Sequence, residues 1–178
     1  MDKSQLPWHT RFWGHLKTIT LHKFRVQNLC FRMGLYKQGL AHDLSKYSPT
    51  EFNSGVKYWQ GNRSPIEKEK EALGYSEGWL HHKGHNKHHW EYWMDKKGDQ
   101  IIFYRVPKKI VKEMVADRVA ASQTYLKDAY TDDCPLQYFL KGTDQYCMEL
   151  NTALLLKKYL TWIAVDGLDV AIKHIKKD

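Results

Sequence analysis

The chain has no apolar run long enough to cross a membrane: its longest, Ala153 to Leu156, stops at Lys157 and Lys158, where a span takes about 18 residues or more. Behind Met1-Asp2-Lys3-Ser4-Gln5 there is no apolar signal core, so no secretory leader is expected. Cysteine is scarce. Cys30, Cys134 and Cys147 are odd in number and have no CxxC spacing, which excludes a disulfide framework. These absences predict a cytoplasmic, disulfide-free protein with no membrane partner. Acidic residues are outnumbered, 20 against 28 Lys and Arg, for a formal net charge of +8 with histidine neutral, and such a surface attracts phosphates and other anions. Repeats, low-complexity tracts and dividing linkers are also missing. At 178 residues, against roughly 100–200 per domain, the expectation is one domain over residues 1–178.

What the chain does have is material for a core, with 42% hydrophobic and 13% aromatic residues, and that balance specifies a folded domain. Over 13–33, Leu16, Ile19, Val26, Leu29 and Met33 recur at helical spacing and predict a helix ended by Gly34. Ser48-Pro49-Thr50-Glu51 has the form of a capping box opening a helix at Pro49, and Ser64-Pro65-Ile66-Glu67 repeats it to open an exposed helix closed by Gly74. Residues 75–95 read as a short helix entering a structured loop, with Gly78 and Gly84 as breaks. Residues 100–104 read as a brief strand facing 90–94. Pro107 opens a helix with Ile110, Met114, Asp117, Ala121 and Tyr125 on one face. After a turn region over 130–135, a last helical stretch runs over 146–165, carrying Leu150, Leu154, Leu155 and Ile163. The fold class expected is all-α, a single-domain helical bundle with room for one short β-hairpin near 90–104.

Ten histidines stand out, five of them between His81 and His89. His22 lies three residues after Ile19 and four before Val26, inside the apolar stripe of the first helix, and so faces inward. Asp117 lies three after Met114 and four before Ala121, which turns a carboxylate toward the core. There an unpaired charge costs several kcal/mol, on the order of 3–5. The plain alternatives are a satisfied core imidazole for His22 and a salt bridge to Arg105 or Arg118 for Asp117. His42-Asp43 sits between Leu40-Ala41 and Leu44, a setting that predicts burial of two polar groups together. His82 shares a face with Trp79, and Asn86 between the histidine pairs is placed to turn His88 and His89 back toward the same centre. Imidazole with carboxylate suits a divalent transition metal, one or two ions of Fe, Mn, Zn, Co or Ni. The aromatics Trp79, Trp90, Tyr92 and Trp93 read as packing, with a base-stacking wall as the sharper alternative.

In chain order these residues spell H…HD…H…H…D, and His42-Asp43-Leu44-Ser45-Lys46 matches HDxxK. In this the sequence resembles the HD-domain superfamily of helical metal-dependent phosphohydrolases over about His22 to Asp117. It is also similar to an uncharacterised bacterial and phage family that pairs HDxSK with NxHHWxYW, here Asn86 to Trp93. The first resemblance implies that His22, His42, Asp43 and Asp117 hold one metal, and that Asp43 bridges to a second held by His82 with His88 or His89. Asp43 and Lys46 are the implied catalytic residues: a metal-activated water attacks the phosphoester while Lys46 neutralises charge on the phosphoryl group. The function expected is hydrolysis of a nucleotide or other small anionic phosphoester. Two alternatives stand beside it, a di-iron HD-type oxygenase and a non-catalytic nucleic-acid-binding protein. Glu51 reads as the capping partner of Ser48, or as a carboxylate orienting a ligand histidine from behind.

Overall fold

The helical periodicity of the first third becomes one long helix, α1 (Trp8–Arg32), which ends where Gly34 takes a left-handed conformation at φ 80°. The computed structural model describes residues 6–142 and 147–178. After α1 come α2 (Tyr36–Ala41), a 3-10 turn (Leu44–Tyr47), α3 (Pro49–Tyr58), α4 (Pro65–Leu73) and α5 (Glu77–His85). A second 3-10 turn (Trp90–Trp93) leads into a hairpin of β1 (Met94–Lys97) and β2 (Gln100–Phe103). The chain then enters α6 (Lys108–Leu126), a 3-10 turn (Lys127–Ala129), α7 (Cys134–Lys141), α8 (Leu150–Asp166) and α9 (Leu168–Lys177). This is an all-α bundle with one short hairpin.

Helix α1 lies against α6, α6 against α8, and α8 against α9, which returns to α1. Between them Val26, Val111, Val119, Leu156, Leu160 and Ile163 are fully buried. Each such side chain contributes about 1.5–3 kcal/mol on leaving water. Helices α3, α4 and α5 form a smaller group packed through α3 on the N-terminal half of α1. The polar site lies between this group and the α1–α6 pair.

Several sequence expectations change. The strand facing 100–104 is 94–97, not 90–94: Lys97 pairs with Gln100 and Met94 with Phe103, because the two-residue loop with Gly98 at φ 59° fixes the register. Gly78 and Gly84 do not break α5 but lie within it. The 130–135 turn passes directly into α7, a helix the sequence reading left out. In α8, Leu150 and Leu154 are exposed and the buried face is Ala153, Leu156, Leu160 and Ile163. Four leucines crowd the start of that helix, and packing selects among them. The expected start of this helix at Tyr146 lies outside the described residues.

Candidate metal centre

The inward stripe of α1 carries two histidines, His15 and His22, among its buried residues. His42 and Asp43 are 2% and 1% exposed, while the flanking Leu40 and Leu44 are 57% and 54% exposed. Burial is therefore as expected, but its cause is not an apolar setting. Asp43 is left-handed at φ 55°, a conformation that a short polar side chain tolerates. This turn takes the chain out of α2 with the polar pair inside and the leucines outside. Lys23 donates to the carbonyls of Leu40 and His42 at 2.7 and 3.1 Å and holds the turn to α1.

Helix α5 starts at Ser76, whose hydroxyl accepts from the Trp79 backbone N–H at 2.9 Å and donates to buried Glu69. Its inner face presents His82, 2% exposed. Asn86 ends the helix by donating to the His82 carbonyl at 2.8 Å and reaches across to the Ser45 hydroxyl at 2.7 Å. The chain then doubles back, which brings His88 beside His42, with ring centroids 4.2 Å apart, and His89 beside His82, at 4.7 Å. From α6 come Asp117 and, one turn earlier, Glu113.

Asp43 stands at the centre. Its Oδ1 is 3.4 Å from His82 Nε2 and 3.3 Å from His88 Nε2; its Oδ2 is 3.5 Å from His22 Nε2 and 3.4 Å from His42 Nε2. Asp117 Oδ1 lies 3.0 Å from His22 Nε2 and 3.5 Å from His42 Nε2. Two four-residue groups result, His22-His42-Asp43-Asp117 and Asp43-His82-His88-His89, each with ligand atoms within 4.8 Å of one another and with Asp43 in both. Lys46 Nζ is 2.6 Å from Asp43 Oδ2 and lines a cleft of about 70 Å³ that runs from His82 to Tyr125 and His15.

Outer carboxylates orient these rings. Glu113 Oε1 is 3.0 Å from His42 Nδ1 and 3.3 Å from His88 Nδ1. Glu51 holds His82 Nδ1 at 2.7 Å and His81 Nδ1 at 2.6 Å. An ionised carboxylate only accepts, so Nδ1 of His42, His88 and His82 carries a proton and donates it, and Nε2 is the nitrogen directed at the centre. Burial pushes both glutamates up, but their histidine neighbours outweigh it and hold them low.

The Nε2 atoms of His22, His42, His88 and His89 and both oxygens of Asp43 are buried and make no hydrogen bond, the Lys46 ion pair to Oδ2 apart. Such atoms are costly unless something satisfies them, by about 1–3 kcal/mol each. Burial disfavours charge on Asp43 and Asp117, yet the surrounding His42, Lys46 and His22 hold both carboxyls well below the usual range. Burial likewise depresses His42, but Asp43, Asp117 and Glu113 prevail and raise it well above an ordinary imidazole. For His89, burial and the neighbouring His88 and His82 act together and push it well down. The site's field therefore favours added positive charge, and its donor set of imidazole nitrogens and carboxylates fits a divalent transition metal.

The chain belongs to a family of unknown function, DUF5662. The family profile matches residues 11–161, a span that contains every residue of the site. No curated protein and no solved structure matches the chain. In this DUF5662 member the structure brings together all eight residues picked out from sequence: His22, His42, Asp43, Lys46, His82, His88, His89 and Asp117. It leaves His81 on Glu51 at the rim and His85 exposed. Asp117 meets His22 and His42, not Arg105 or Arg118. Glu51 serves the histidines while the Ser48 hydroxyl caps α3 alone. The sequence reading missed Glu113, although its place four residues before an inward-facing Asp117 puts both on one helix face.

Proposed function

We propose that the protein is a dinuclear metal phosphohydrolase of the HD type. The observation that carries this reading is the pair of four-ligand groups sharing Asp43, with six of their ligand atoms buried and without hydrogen bonds. His22, His42, Asp43 and Asp117 would hold one ion, and Asp43, His82, His88 and His89 the other. When bound, such ions supply Lewis acidity toward a phosphoryl oxygen and a water of lowered pKa. The protein's own groups do the rest. Glu113 and Glu51 fix the ring orientations. Lys46, partly exposed and beside Asp43, binds the substrate's anionic oxygens as they enter from the cleft and stabilises charge that builds there. Four carboxylates, Asp43, Asp117, Glu51 and Glu113, face one lysine, so two divalent cations turn a net negative pocket slightly positive. That balance suits an anionic substrate and release of an anionic product.

Elemental analysis of the purified protein tests this first: two transition-metal ions per chain are expected. Asp117→Ala is expected to lose stoichiometric metal together with hydrolysis of phosphoesters in the presence of Mn or Co. Asp117→Leu is expected to fold better than Asp117→Ala while losing metal equally, since it removes the charge and fills the space. Full metal in folded Asp117→Ala overturns the ligand assignment. Bound iron with turnover that requires oxygen assigns the site to an oxygenase instead.

A further inference from the structure

The cleft beside Lys46 contains polar groups that no metal ligand uses. His15 is 5% exposed and its Nδ1 is buried without a hydrogen-bond partner. Its ring lies against Gly55 of α3 so closely that a Cβ there has no room. Burial, reinforced by the Lys46 ammonium, lowers its pKa to about 4, so it is a neutral imidazole with a nitrogen free to pair. Across the cleft the Tyr125 phenol, from the Asp117 face of α6, interacts with the Ser64 hydroxyl and with Lys46. The cleft thus has the Lys46 ammonium at the metal end, beside the Glu51 carboxylate that His82 and His81 already engage, and neutral hydrogen-bonding groups at the other.

Its size is equally informative. A volume of about 70 Å³ holds a few ordered waters, whereas sites for nucleoside-sized ligands measure about 300–1,000 Å³. We propose that this cleft is the leaving-group subsite and selects the phosphomonoester of a short hydroxylated alcohol over a nucleotide, with Lys46 on a phosphoryl oxygen and His15, Tyr125 and Ser64 on the alcohol's hydroxyl. The inference rests on the phosphohydrolase reading and narrows its substrate. The reaction is plain hydrolysis: water's oxygen bonds phosphorus, the bond from phosphorus to the alcohol oxygen breaks, and water's proton passes to that oxygen.

The test is calorimetric binding to the metal-loaded protein of three phosphonates that cannot be hydrolysed: methylphosphonate, 2-hydroxyethylphosphonate and the phosphonate analogue of AMP. The hydroxyethyl compound is expected to bind roughly tenfold tighter than the AMP analogue. His15→Phe, which keeps a ring but removes the nitrogen, is expected to weaken hydroxyethylphosphonate by about three- to tenfold, the worth of one hydrogen bond, and methylphosphonate far less. Should that variant fail to fold, Tyr125→Phe reads the same difference. If the phosphonates bind but the AMP analogue does so as tightly, or neither variant distinguishes the two small compounds, the subsite is overturned alone. If none of the three binds, the phosphohydrolase reading falls and this inference with it.

Discussion

His15 shows how one buried side chain ties the fold to pH. Its folded pKa of about 4 lies below the ordinary value near 6.5, so the unfolded chain takes up the proton first as pH falls. Stability is then fully present above about pH 7 and is lost between roughly pH 6.5 and 4. From pH 7 to pH 5 the loss works out at about 2 kcal/mol. Urea unfolding of wild type and His15→Phe at both pH values checks this: the wild type is expected to lose about 2 kcal/mol more than the variant across the interval. Equal losses mean that His15 is not held neutral. Cys30 is the opposite kind of buried group. Burial, with Glu113 and Asp117 nearby, pushes its thiol up to about 12, which keeps it protonated and excludes it as a nucleophile.

Helix α5 positions more of the site than any other short element among the described residues, and it does so with little intrinsic stability. Nine residues fall below the length at which a helix persists alone, about 12–15. Its start depends on Ser76, which satisfies one backbone N–H and also gives the buried Glu69 carboxylate its hydrogen bond. Ser76→Ala is therefore expected to cost more than an ordinary cap, about 2–3 kcal/mol, and to loosen His82, His88 and His89 together. Thermal melts give the first quantity. Metal titration gives the second, with weakened uptake of one ion expected and the other left in place. The helical pattern over α1 and α6 was legible because long amphipathic stripes repeat the same signal over many turns. The 3-10 turns and α7 were not, because one or two turns repeat a pattern too few times to read and their burial comes from neighbours distant in sequence.

On the scale of the whole molecule, the candidate ligands come from four stretches, α1, the turn after α2, α5 with its return loop, and α6. Ions held there as proposed would tie the α3–α5 group to the α1–α6 pair. Chelation is expected to lower the melting temperature: at metal 100-fold above its Kd, linkage contributes about 2.7 kcal/mol, or roughly 5–10 °C for a domain of this size. Identical melts with and without chelator mean that no tight metal links those stretches. No helix among the described residues is long and apolar enough to cross a membrane.

The sequence by itself determined the helical class and the inward aspect of His22 and Asp117, because a 3.6-residue period states which side chains face a core without naming the partner; the grouping of His42-Asp43 with the later histidines was implied by the HD-domain resemblance and not by any period. Only the tertiary structure decided how Asp43, the bridge that the resemblance implied, faces both ligand groups, that Glu113 and Glu51 lie behind the rings, and that His81 falls outside. Those outcomes depend on a left-handed turn at Asp43 and on the reversal after Asn86. Both set direction in space through contacts between segments far apart in the chain, and periodicity within one segment holds no record of them.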